Sequence, residues 1–371
     1  MVTYTFDELL AHKEAGVPEA ALAALREWAD GEILKPTYKV TEIPLPRPSG
    51  NMHEYMSVSP YRWPNPDTPD GLPWVRRDGV NNPDVAKNPR AVTVYSRVYQ
   101  LALAAFYFEE KRTEYAEFAT RQLYDWFINP ETYMEPNARY AQSIPGVCDG
   151  CSPGIIDFAV NAQLFDGIGI LEALGLVDAP VVEGVKAWFV EFTNWLMTND
   201  ELGIAEGSAG DNHGAWYDEQ VLAAAVFTGR KYLVQRVLRS SYNSRTRAKI
   251  KLDGSQPHEL KRTKPIGYSF YALKALFEIA NIGEVRGYSE YWGIDAERGH
   301  CVLRQAVDFL YPYVKDPSSC PYPDLKHGKY GENMKRALLR VAKHYPGEGY
   351  EEKAAEFGEY DSSLWRLAPL K

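Results

Sequence analysis

Val181-Val182-Glu183-Gly184-Val185-Lys186-Ala187-Trp188-Phe189-Val190-Glu191-Phe192-Thr193-Asn194-Trp195-Leu196 is the stretch that decides the fold class. Its apolar residues, Val181, Val182, Val185, Trp188, Phe189, Phe192, Trp195 and Leu196, recur at the spacing of one helix face, with polar residues opposite. Such a stripe is core. Outward in both directions the pattern repeats, near residues 5–15, 18–29, 92–112, 114–128 and 154–174 before it, and near 216–228, 230–248, 268–281, 299–313 and 330–345 after it. Val302, Leu303, Ala306, Phe309, Leu310 and Tyr313 form the clearest late example. No run of alternating strands and neither Gly-rich phosphate-binding motif occurs. Helix pairs in this number predict an all-α chain, an incomplete α/α barrel or toroid of about six to seven helix pairs, folded as one domain over 1–371.

Between the early helices and the rest lies a segment of different character. Eleven of the 25 prolines fall within 36–90, too many for helix. Its middle interleaves aromatics with arginine, as in Tyr61-Arg62-Trp63 and Trp74-Val75-Arg76-Arg77. The aromatic content predicts an ordered loop lining a cleft rather than a linker. Asn65-Pro66-Asp67-Thr68-Pro69-Asp70-Gly71 is no calcium loop, because a proline stands at a ligand position and the distal glutamate is missing.

Composition narrows the function. Lys+Arg 41 against Asp+Glu 50 gives a net charge of −9, which argues against a nucleic-acid binder but leaves room for an acidic polymer in a locally basic groove. Nine Trp and 25 Tyr suit a cleft that stacks sugar rings. No apolar run reads as a membrane span, so no membrane partner is expected. The N-terminus lacks the basic and apolar regions of a signal peptide, so the chain is either cytoplasmic or a mature form with its signal removed. Cys148 and Cys151 form a C-x-x-C in a Gly/Pro-rich loop, with Cys301 and Cys320 far downstream. Either a loop disulfide or free thiols fits better than a zinc site, which would need further ligands; no metal or cofactor is expected.

Two polar constellations remain. Ser208-Ala209-Gly210-Asp211-Asn212-His213-Gly214-Ala215-Trp216-Tyr217-Asp218 brackets an Asn-His pair with glycines, just before a helix expected to start near Trp216. A helix mouth of this kind holds an anion such as a carboxylate; it is equally the composition of a plain N-cap. The second is Gln256-Pro257-His258-Glu259-Leu260-Lys261-Arg262-Thr263-Lys264-Pro265-Ile266-Gly267-Tyr268-Ser269, with Arg245, Arg247, Lys249 and Lys251 upstream. It reads as an irregular basic loop with Tyr268 opening the next helix. Together they supply Asn, His, Arg and Tyr with little catalytic carboxylate, a set suited to β-elimination from a uronate. That reaction needs the substrate carboxylate neutralised, a base for C5 and an acid for O4. One tyrosine serves both roles when the C5 hydrogen and the leaving group share a face.

Ser59-Pro60-Tyr61-Arg62-Trp63-Pro64, Gly71 to Gly79, Tyr140-Ala141-Gln142-Ser143-Ile144-Pro145-Gly146, Gly154-Ile155-Ile156-Asp157, Asn212 to Asp218 and His258-Glu259-Leu260-x-Arg262-Thr263-x5-Ser269 resemble, in order, motifs of the alginate lyase superfamily. They are most similar to its glucuronan/alginate lyase branch, polysaccharide lyase family thirty-eight. The resemblance implies an α/α toroid, no obligatory metal, Asn212, His213 and Arg262 around the substrate carboxylate, and Tyr268 as base and acid. Where the family often carries Asn-Asp-Gly-Arg-Gly after Pro145-Gly146, this chain has Cys148-Asp149-Gly150-Cys151-Ser152-Pro153, without the arginine.

The expectation is a secreted or periplasmic polysaccharide lyase acting on a β-1,4-linked polyuronate, polymannuronate or glucuronan. Tyr61, Arg62, Trp63, Trp74, Arg76, Arg77, Gln142, Trp216, Tyr217 and His258 are its expected substrate contacts. Two rivals stand beside it: a glycoside hydrolase using carboxylates such as Asp218 and Glu259, and a non-catalytic binder of acidic polysaccharide.

Overall fold

The computed structural model describes residues 1–85, 90–324 and 329–370. Along the chain run α1 (Phe6–Glu14), α2 (Glu19–Glu32), α3 (Ala91–Tyr107), α4 (Arg112–Phe127), α5 (Asn161–Ala173), α6 (Ala179–Thr198) and α7 (Ala205–Gly207). They are followed by α8 (Asn212–Phe227), α9 (Lys231–Ser241), α10 (Pro257–Leu260), α11 (Pro265–Glu284), α12 (Val302–Lys315), α13 (Gly331–His344) and α14 (Tyr350–Ala355). Strands among the described residues are short: β1 (Met56–Val58), β2 (Arg62–Trp63), β3 (Val75–Arg76) and β4 (Tyr140–Ser143). The all-α class expected from the stripes is the one found. Two compact units divide the chain. Met1, Leu25–Ala209 and Ala223–Lys231 form the first; Val2–Ala24, Gly210–Leu222 and Tyr232–Lys371 form the second.

In the first unit α3 packs on α4 and α5, and α4 on α6. Along α6 the expected stripe is buried at Val182, Val185, Trp188, Phe189, Phe192 and Leu196, while Val181 and Trp195 sit half-buried at its margins. Pro180 lies in the first turn, where its missing N–H costs nothing. Phe189 meets Phe165 with ring centroids 4.7 Å apart, Trp188 stacks on Phe192 at 4.9 Å, and the Trp188 indole N–H donates to the Met134 carbonyl at 2.6 Å. Each such ring contributes roughly 1.5–3 kcal/mol by leaving water. The segment expected as one helix over 154–174 is broken: a tight 3₁₀ stretch, Ser152–Phe158, precedes α5. The break falls at Val160, whose φ of 65° no helix continues through. Ser152–Ala173 is long and apolar enough to cross a membrane, contrary to the sequence reading, yet 89% of its most apolar 18-residue window is buried inside the protein.

The Pro-rich segment is ordered over its described residues, with 86–89 of the expected segment outside them. β2 and β3 pair antiparallel, Arg62 opposite Arg76 and Trp63 opposite Val75. Gly71, at φ 72°, turns the connection and its carbonyl accepts the Asn65 N–H at 2.8 Å. Buried Asn82 ties the base, donating through its backbone to Pro60 at 2.7 Å and through its amide to Arg62 at 3.0 Å. β1 and β4 run parallel, Met56 opposite Tyr140 and Val58 opposite Ser143. β4 therefore carries one extra residue, a bulge that throws Gln142 into the left-handed region at φ 49°. All four cysteines are free thiols. The Cys151 thiol donates to the Gln142 carbonyl, and burial together with neighbouring Cys148 pushes it up to about 12.

In the second unit α11 packs on α10 and α12, and α13 on α12 and α14. A capping box starts α1: the Thr5 hydroxyl accepts the Glu8 N–H at 3.2 Å and the Glu8 carboxylate accepts the Thr5 N–H at 2.7 Å. Three boundaries differ from the sequence reading. The helix expected from Trp216 begins at Asn212. The helix expected over 230–248 ends at Ser241 and continues as a π-helical turn, Tyr242–Arg247. Within the stretch expected to be an irregular loop, Pro257 and Pro265 each occupy the first turn of a helix, so α11 opens before Tyr268.

Candidate active site

Asp211, Asn212 and His213 form the first turn of α8 and the residue before it. The Asp211 carboxylate accepts the His213 N–H at 3.2 Å, and its carbonyl the Gly214 N–H, so Asp211 caps the helix locally. Asn212 is handled differently. Its backbone N–H donates to Glu259 Oε1 at 2.7 Å and its side-chain Nδ2 to Glu259 Oε2 at 2.8 Å. Asn212 is 2% exposed and Glu259 3% exposed. Burial is the main force pushing the Glu259 carboxyl up, to about 7; Asn212's donors and the Arg262 charge oppose it, while Asp211 adds to it.

A small pocket opens beside this pair. Asp211, Asn212, Glu259, Arg245, Lys249, Gln256 and His258 supply its polar lining. Arg245 comes from the π-helical turn and is clamped by Asp218, Nε to Oδ2 at 2.9 Å and Nη2 to Oδ1 at 3.4 Å. A side chain on Gly210 would come within 3.3 Å of the His258 ring and 3.5 Å of the Lys249 ammonium, so glycine there keeps both close to the helix mouth. The lining carries two cations, Arg245, held by Asp218, and Lys249, beside two carboxylates, Asp211 and Glu259.

Three residues beyond Glu259, the Arg262 guanidinium lies 3.9 Å from the centroid of the Tyr268 ring. The two are six apart in sequence: a bend over 261–264 leads into α11, and Pro265 and Gly267, expected to make a turn, lie inside its first turn instead. A cation on the ring face favours negative charge on the phenol. Tyr268 stands in the first turn of α11, half-buried, its N–H bonded to the Lys264 carbonyl at 2.9 Å.

Of the expected substrate contacts in this unit, His258 is exposed and lines the pocket. Tyr217 is half-buried, and burial pushes its phenol up to about 12. Trp216 is a correction. It is wholly buried, packed on Tyr271 with ring centroids 5.0 Å apart, and offers no face to a sugar.

The remaining candidates belong to the first unit. Arg62, Trp63, Arg76 and Arg77 lie on or beside the β2–β3 pair, with Tyr61 before it and Trp74 within the connection. Exposed Arg77 lies over the Trp63 ring, 5.0 Å from its centroid, and Arg76 donates to Asp78 at 2.7 Å. Gln142 is 6% exposed, and its Nε2 donates to Asp157 Oδ1 at 2.9 Å while its backbone N–H donates to the Ser57 hydroxyl at 2.8 Å. Asp157 also accepts Ser57 at 2.6 Å and Tyr55 at 3.0 Å, with Arg90 at 3.4 Å. Sequence reasoning passed over this network, and over Glu259 as a partner of Asn212. Both carboxylates lie in stretches it had singled out.

A family model described as alginate lyase matches residues 39–320. An alginate lyase crystal structure from Bacteroides ovatus is similar over 100% of this chain and 99% of its own, with 30% identity and a TM-score of 0.91. Alginate lyase A1-III from Sphingomonas species A1 is similar over 90% of this chain and 91% of its own, at 18% identity and TM-score 0.53. A variant of A1-III complexed with a tetrasaccharide covers 91% of this chain and 90% of its own, at 17% identity and TM-score 0.57. At these last identities the likeness is one of fold. No curated protein matches the chain in sequence. Matched through most of its length by the family and end to end by a relative of the same fold, the chain belongs to the alginate lyase family.

Proposed function

We propose that this protein is a polysaccharide lyase that cleaves a β-1,4-linked polyuronate, polymannuronate or glucuronan, by syn β-elimination. The observation that carries the reading is the Arg262 guanidinium stacked on Tyr268 in the same unit as the Asn212 helix mouth. Asn212, His213 and Arg262 surround and neutralise the uronate carboxylate, which makes the C5 hydrogen acidic enough to remove. The Tyr268 phenolate takes that proton, the C4–O4 bond breaks as a C4–C5 double bond forms, and the phenol returns the proton to O4. Electrons and protons balance without a further reagent. Mannuronate and glucuronate share configuration at C4 and C5, so one tyrosine serves either; guluronate, inverted at C5, presents its hydrogen to the opposite face.

The hydrolase alternative asks Asp218 and Glu259 to act as acid and base. Asp218 is engaged by Arg245 and Glu259 by Asn212, which supports the lyase instead. Incubation with polymannuronate, glucuronan and polyguluronate separates the readings. A lyase of this mechanism generates ultraviolet absorbance from the first two and little from the third. Reducing ends without absorbance mark a hydrolase, and neither signal marks a binder. With a polymeric substrate, the proposal extends to a secreted or periplasmic location, which immunodetection in cell fractions tests.

A further inference from the structure

Resting on the reading above, we propose that Glu259 is a positioning residue for the elimination, acting through Asn212. Two donors of one residue, the Asn212 backbone N–H and its Nδ2–H, converge on the two oxygens of a single carboxylate at 2.7 and 2.8 Å. This fixes both the amide plane and which end of it faces Glu259. The second Nδ2–H is left for the carboxylate of a bound uronate.

Three features set this pair apart from an ordinary helix cap. The acceptor comes from 47 residues away, on α10, although Asp211 already caps the helix from the adjacent position. The carboxylate is 3% exposed and borders the pocket that Arg245, Lys249 and His258 also line. Its burial is costly, as the upward push on its ionisation records. A glutamine of the same shape would avoid that cost but accept only one of the two donors. Its own NH₂ would oppose the other, and Asn212 would relieve the clash by turning its carbonyl toward position 259. The amide would then face a uronate in the reversed sense. Only a carboxylate accepts both donors.

The test is a double-mutant cycle on polymannuronate with Glu259→Gln, Asn212→Ala and the double variant, folds checked by circular dichroism. Glu259→Gln is expected to lower kcat by about 10-fold or more while KM moves little, the scale for losing a group that orients another. In the Asn212→Ala background the same change is expected to do nothing further, because its target is gone. Glu259→Asp, which keeps both oxygens, is expected to restore part of kcat, and it carries the same cycle if Glu259→Gln fails to fold. Costs that multiply in the double variant, or full kcat in Glu259→Gln, overturn the inference while leaving the proposed mechanism standing. Full activity in Asn212→Ala overturns the mechanism's use of Asn212 and this inference with it.

Discussion

The Gln142 and Asn212 side-chain amides are each held by a buried carboxylate, and the two carboxylates are treated differently. In the first unit Gln142 donates to Asp157, which also receives two hydroxyls and the Arg90 guanidinium. In the second unit Asn212 donates to Glu259, whose carboxylate takes both of its hydrogen bonds from Asn212. Asp157 is the hub of a satisfied network, the kind that specifies a local structure. Glu259 is held by one residue, and burial leaves it near the point where it takes up a proton at neutral pH. The same pairing thus serves as a brace in one place and as an adjustable support in the other. A carboxylate so lightly compensated is found beside the candidate chemistry.

The sharpest way to break this contrast is to remove the chemistry from the second unit. Tyr268→Phe deletes one hydroxyl from a half-buried ring and is expected to lower elimination on the order of 10³-fold or more, with thermal stability nearly unchanged. Retained turnover on polymannuronate and glucuronan would falsify the role of Tyr268. His213→Ala should cost on the order of 10²-fold in kcat, read in the same ultraviolet assay; near-normal rates with an intact circular dichroism spectrum would reduce His213 to a helix residue.

Stability measurements sharpen the other side. Asp157→Asn puts an NH₂ against donors from Ser57, Tyr55 or Gln142 and removes the counter-charge of Arg90. It should therefore cost about 2–4 kcal/mol, seen as a lower urea midpoint at an unchanged slope. Glu259 should announce itself through pH instead. Its carboxyl ionises at about 7 in the folded protein, above its ordinary 4.5, so the folded state holds the proton more tightly than the unfolded. The stability this confers is complete below pH 4.5 and lost as pH rises through 7. Between those limits the wild type should lose up to about 3 kcal/mol relative to Glu259→Gln. Parallel pH curves for the two proteins would show that Glu259 ionises normally. The smallest effect is expected at Arg77, exposed and resting on Trp63: Arg77→Ala should weaken polymer binding about 3- to 10-fold by titration calorimetry in a Tyr268→Phe background, with no loss of fold.

The helices were legible because their faces repeat every three to four residues over many turns. Val182 to Leu196 needed no neighbour to be recognised. What escaped had causes distant in sequence. Asn212 starts its helix four residues before Trp216, where its N–H is met by a glutamate 47 residues on, and no local pattern encodes that. Val160 breaks an apolar stretch by adopting a left-handed backbone that its β-branched side chain gives no reason to expect. Tyr268 and Arg262 are only six residues apart, so the contact between them is a local one. Trp216 was misjudged because an aromatic beside polar residues looks like a sugar platform until its helix face is assigned.

The bulge in β4 carries a meaning for how this sequence could change. Gln142 holds a left-handed backbone that costs a non-glycine residue on the order of 1–2 kcal/mol, a cost glycine at that one position would remove. Glycine would also surrender the amide that reaches Asp157. Position 142 is therefore where drift toward a more relaxed backbone and retention of a polar side chain pull in opposite directions. A library randomised at that codon, sorted once for thermal resistance and once for turnover, should return different residues from the two sorts.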